Sequence, residues 1–134
     1  MENSIYNSRF LEILYEESTK ILTINWLQES SAMQDEDFKK EIIALEEAIL
    51  LSKPKSVLGL SQYFVFMITP DLQEFVQKHS LQAQITVGAK KFAIVTLSNI
   101  YAILSVEQTL EMSTEFVDTK YFDDVSKARK WLVS

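Results

Sequence analysis

Two short runs near the start of the chain, Arg9–Glu16 and Lys20–Leu27, read as strands joined by the polar turn Glu17-Ser18-Thr19. In the second run Leu22, Ile24 and Trp26 share one side, while Thr23 and Asn25 lie on the other, which is the period of a β-strand. Their closeness predicts an antiparallel hairpin. After the polar connection Gln28–Gln34 the period changes. Phe38, Ile42, Leu45 and Ile49 fall at helical spacing and predict a helix from Asp35 to about Leu51. Its acidic start, Asp35-Glu36-Asp37, suits the positive end of a helix dipole. Lys53-Pro54 ends it, because proline disfavours helical geometry in the residue before it.

The second half alternates strand and helix patterns. Ser56–Leu60 reads as a strand covered on both faces. Thr69-Pro70 marks the next helix: the Thr69 hydroxyl is suited to capping, and Pro70 to a first helical position that needs no amide donor. That helix runs to about His79 and buries Leu72, Phe75 and Val76. Gly88 precedes a strand at Lys91–Leu97. Ser105 and Gln108 form a capping-box pattern that opens a helix through about Met112; Asn99–Leu104 fits either a turn or an extension of it. Glu115–Tyr121 reads as the last strand. Asp123 or Asp124 then caps a terminal helix with Val125, Ala128, Trp131 and Leu132 on one face. The order β-β-α-β-α-β-α-β-α predicts an α/β fold with a mixed sheet of four or five strands, opened by the hairpin and flanked by about four helices. Residues 1–8 read as an N-terminal tail and 9–134 as a single domain.

Composition narrows the classes. Gly and Pro occur only twice each, which argues against a loop-rich all-β design, and the absence of Cys removes disulfides, thiol nucleophiles and thiolate metal sites. The formal net charge of −6 disfavours nucleic acid and anionic membrane surfaces as partners. No run approaches the length of a spanning helix, and MENSIYNSRF lacks a signal-peptide layout, so the expectation is a cytoplasmic protein without stable membrane insertion.

The hairpin ILTINW, the helix opening DEDFKKE, the stretch SVLGLSQYFVFMITPDLQEF, the strand KFAIV and the closing Phe122, Ala128, Trp131 and Leu132 together resemble the SpoIIAA-like domains. These are related to the anti-sigma-factor antagonist (STAS) proteins and more loosely to the lipid-binding CRAL-TRIO domains. The resemblance covers nearly the whole chain from Arg9 and implies a SpoIIAA-like sheet and a non-enzymatic regulatory domain acting through a protein partner. The looser likeness implies, as the alternative, a small carrier or sensor of an apolar, lipid-like ligand. Family antagonists carry a D-S-[ST]-G-type phosphorylation motif where this chain has Met67-Ile68-Thr69-Pro70, and Gly59 stands where the family's strand has an acidic residue. Phosphorylation of Thr69 is therefore not expected to be the main switch.

Tyr63 to Ile68 are six consecutive apolar or aromatic residues in an expected loop. They either fold back onto the sheet or form an apolar pocket or contact patch. The candidate ligand or partner residues are Tyr63, Phe64, Phe66, Met67 and Thr69, with Trp26 as a pocket wall. An in-and-out alternation is expected to make one of Phe64 and Phe66 structural and the other nearly neutral for folding. His79 reads as a solvated residue at a helix end, Trp131 as a packing anchor, and Glu12 and Asn25 as solvent-facing. No catalytic residue, metal site or cofactor is expected, since Walker, dinucleotide and serine-elbow motifs are lacking. The aromatic surplus leads to an expectation of homodimers.

Overall fold

The structure, a computed structural model, describes residues 2–96 and 117–134. Six strands form one mixed sheet in sequential order: β1 (Glu2–Asn7), β2 (Leu11–Glu16), β3 (Ile21–Trp26), β4 (Ser56–Leu60), β5 (Lys91–Val95) and β6 (Asp118–Phe122). The first three pair antiparallel, and β3 to β6 run parallel to one another. Helix α1 (Asp35–Ser52) links β3 to β4. A second helical rod follows β4, consisting of α2 (Pro70–Val76), a π-turn (Gln77–Leu81) and α3 (Gln82–Val87). The last helix, α4 (Val125–Leu132), follows β6.

Each helix starts and stops for a local reason. The Gln34 amide donates to Asp37 Oδ2 at 2.9 Å, closing the first turn of α1. Lys53 ends that helix in the left-handed region (φ 51°), a common helix-terminating geometry, and the following proline has no amide with which to continue it. Asp124, of the two expected caps, accepts from the Ser126 amide at 2.7 Å. Thr69 occupies the cap position before Pro70, but its hydroxyl makes no capping bond. Its carbonyl instead accepts from the Gln73 amide at 2.8 Å, correcting the expected side-chain role.

The sheet buries both faces. On one, α1 and the α2–α3 rod cover Ile13, Leu22, Ile24, Trp26 and Val57. On the other, Ala128 and Leu132 of α4 pack against Ile21, Leu58, Ala93 and Val95. Trp131 lies against Phe122, with ring centroids 5.7 Å apart, and takes the Lys91 and Lys120 ammonium groups over its ring.

The mixed α/β class fits the sequence pattern; the count of strands does not. Residues 2–7, read as a tail, form the edge strand β1. A bulge at Ile5 shifts the register between Ser4 and Tyr6, so that no clean alternation marks this strand. Only Tyr6 of this strand packs partly against the core. The helix expected to stop near His79 continues to Val87, because the π-turn inserts one residue and moves the apolar face out of phase. Counting that rod once, three helices are present among the described residues. The expected helix at Ser105–Met112 and the segment Asn99–Leu104 lie outside them.

Candidate functional site

The carboxyl ends of β3, β4 and β5 lie side by side, and the chain leaving β4 crosses them as the segment 61–69. Open α/β sheets present their ligands at this edge. The segment is fixed by the Ser61 amide, which donates to the Val95 carbonyl (2.9 Å), and by the Phe64 amide, which donates to the Ser61 carbonyl (3.2 Å). Between them the side chains alternate. Phe64 and Ile68 are buried and Phe66 half-buried, whereas Tyr63, Val65 and Met67 are 44, 45 and 53% exposed.

This alternation corrects the expected split between the two phenylalanines. Residues two apart in an extended chain share a side, so both turn inward. Phe64 packs on Trp26 (ring centroids 4.9 Å) and Phe66 stacks on Phe38 (4.9 Å, 22° between planes). Trp26 and Phe38 are stacked in turn at 6.0 Å. Of the sequence candidates, Trp26, Phe64 and Phe66 thus form one aromatic cluster with Phe38. Tyr63 and Met67 stand apart from it on the outer side, and Thr69 is exposed beyond them.

The segment separates two hollows. Beneath its inner side lies a cavity of about 70 Å³ walled by Trp26, Phe38, Phe64, Ile68 and Phe92, with Gly59 in its lining. A Cβ on Gly59 would come within 3.2 Å of the Phe92 ring, so the glycine leaves room for that ring to lie across β4. Ser61 and Ser80 are the polar residues that line it. On the opposite face of the sheet, a groove of about 220 Å³ is floored by Leu60 and Val95 and edged by Tyr63, Val125, Asn25, Gln62 and Asp123. Val125, expected on the packed face of the last helix, is instead 42% exposed at this rim. Asp123 faces Lys127 at 3.6 Å, both widely exposed.

His79 is not at a helix end. It lies in the π-turn, 3.0 Å from Glu46 Oε1 on α1, with its ring 4.3 Å from that of Phe75. Sequence reasoning also missed Ser80, Gln62 and the groove, which only the crossing of distant segments assembles. Gly59 did carry a signal: a glycine inside an apolar strand often marks a close approach.

A separate polar cluster lies where α1 meets the β1–β2 corner. Glu41 is buried, and its two carboxyl oxygens accept from the Tyr6 hydroxyl (2.9 Å) and the Ser8 hydroxyl (2.6 Å). Burial, and then the bond and charge of Glu41, raise the Tyr6 pKa. On the opposite face, Arg129 of α4 holds Glu16 at 2.6 Å and Glu2 at 3.2 Å. The bond from Thr19 and then that from Arg129 lower the Glu16 pKa.

Among the described residues, no helix is long and apolar enough to cross a membrane. No protein-family model, curated protein or solved structure matches the chain.

Proposed function

We propose that this domain is a non-enzymatic protein-interaction module that reads its partner through the outer side of the segment 63–67. The observation that carries the reading is the placement of Tyr63, Val65 and Met67. Three large apolar side chains face solvent on a segment whose inner side is anchored in an aromatic cluster. Such a rigid base limits the side-chain and backbone ordering that binding would otherwise cost. The groove beside Tyr63 suits an apolar side chain of the partner. Asp123 at its rim, with Asp124 exposed beside it in the chain and a net charge of −6, favours a partner with basic residues around that contact. The resemblance to SpoIIAA-like regulatory domains points the same way.

A lipid-like carrier finds less support. Ligand pockets of that kind enclose about 300–1,000 Å³, several times the cavity under the segment.

The test pairs two variants with cross-linking. A photoreactive residue at position 62, exposed at the groove beside Tyr63, should in the native cells capture a protein that the same residue at exposed Lys40 does not. Tyr63→Ser with Val65→Ser should abolish that capture while leaving the melting temperature near that of the parent. Phe64→Ala should cost roughly 3–5 kcal/mol of stability. Capture that survives the double variant, or a double variant as unstable as Phe64→Ala, would refute the reading. Capture of a second copy of this chain, checked by light scattering, would replace a foreign partner with a homodimer.

A further inference from the structure

Serine and threonine in a helix commonly satisfy their hydroxyls on the carbonyl four residues back. Ser52 does so on Ala48 (2.7 Å), and Thr86 on Gln82 (2.9 Å). Ser80 does not. It is 4% exposed and lies within the π-turn; it makes no such bond, yet its oxygen is not one of the sealed, unpartnered atoms of the described residues. A hydroxyl that meets open space inside a fold calls for an explanation.

Its position supplies one. Ser80 lines the cavity under the segment 61–69 together with Gly59, Ser61 and the aromatic walls. Apolar walls with one or two placed polar groups are the usual composition of a small-molecule site. Two further features converge there: a π-turn, a helix irregularity frequent at functional sites, and Gly59 in the central strand, whose missing side chain lets the Phe92 ring form part of the wall. The cavity's 70 Å³ is about half the ~150 Å³ of an engineered cavity that takes benzene.

From these features we infer that the cavity binds a small apolar molecule, or short chain end, bearing one hydroxyl or carbonyl group, with its hydrocarbon body against Trp26, Phe64 and Phe92 and its oxygen on Ser80. This site does not depend on the interaction surface: it occupies the inner side of the segment, whereas a partner would occupy the outer side. Its polar selectivity rests on Ser80, with Ser61 as the second hydroxyl in reach of the same space.

Ethanol and propane, small enough for this space, serve as a matched pair of probes, followed through the Trp26 indole resonance in a Trp131→Phe background, since Trp131 lies on the opposite face of the sheet. Both probes should shift the resonance saturably. Ser80→Ala should weaken ethanol about fivefold, the worth of one ordinary hydrogen bond, and leave propane within about twofold. Ser80→Leu, which fills the space, should abolish both. The inference fails if neither probe saturates, or if Ser80→Ala affects the two probes equally or not at all. That comparison stands even where Ser80→Leu does not fold.

Discussion

The two helical layers on the same face of the sheet treat buried polar groups in opposite ways. On α1, Glu41 is buried with both carboxyl oxygens occupied by hydroxyls from the β1–β2 corner. On the α2–α3 rod, by contrast, neither amide atom of the fully buried Gln84 has a partner among the described residues. A satisfied group of this kind fixes which segment docks where, since removing either side leaves its mate stranded in a low dielectric. An unsatisfied one opposes folding. The first layer is therefore built to hold the edge strand. The second buries the unmatched amide of Gln84 at the expense of stability.

Replacing Glu41 by Ala should break the contrast most severely. It removes the acceptor shared by the Tyr6 and Ser8 hydroxyls and should cost roughly 2–3 kcal/mol, seen as a lower denaturant midpoint. Backbone amides of β1 should lose hydrogen-exchange protection first. Gln84→Met should act in the opposite direction. Exchanging two unmatched amide atoms for an adaptable apolar chain is expected to add about 1–2 kcal/mol; a loss of stability would show that Gln84 has a partner in solution.

Tyr6→Phe removes one bond to Glu41 and should cost about 1 kcal/mol. Its sign with pH follows from the raised pKa. Tyr6 keeps its proton in the folded state at pH values where the unfolded chain has released it, so its contribution is complete below the ordinary value of 10.0. It is lost as pH rises through the folded-state value. Alkaline melts should therefore show the parent's advantage over Tyr6→Phe shrinking above about pH 10. The smallest effect belongs to Glu16, whose lowered pKa gives the reverse dependence. Its contribution is present above the ordinary carboxylate range and disappears as pH falls through the folded value. Arg129→Ala should weaken this acid dependence and leave the alkaline limb unchanged.

How much of this could be read from the chain depended on whether a pattern was local. Ser56–Leu60 was legible to the residue, and the buried stripe of α1 through Phe38, Ile42, Leu45 and Ile49 was correct. Both follow from a period sustained over one element. The edge strand escaped because Ile5 bulges and its neighbours are polar. Continuation of the second rod escaped because one inserted residue at the π-turn cancels the 3.6-residue rhythm. The loop's alternation was anticipated, but its parity was misapplied: residues 64 and 66 have to share a side. Gln84 and Ser80 gave no local sign at all, since a polar residue at one helical position reads as solvated until the packing is known. The same holds for Val125, which lies on the expected apolar stripe yet edges the groove.

The Arg129 contact sets a condition in time as well as in space. Its guanidinium meets Glu2 across 127 positions of sequence, and it reaches β2 across 113. During synthesis β1 to β3 can pair early, because they are close neighbours in the chain, and α1 can then settle on them. The clasp across the outer face has to wait until residue 129 has emerged. Contacts of such long separation are slow to close and are made late. Until then the edge strand is held only by its pairing with β2 and by Glu41, so a nascent chain halted before α4 should expose β1 to exchange and proteolysis.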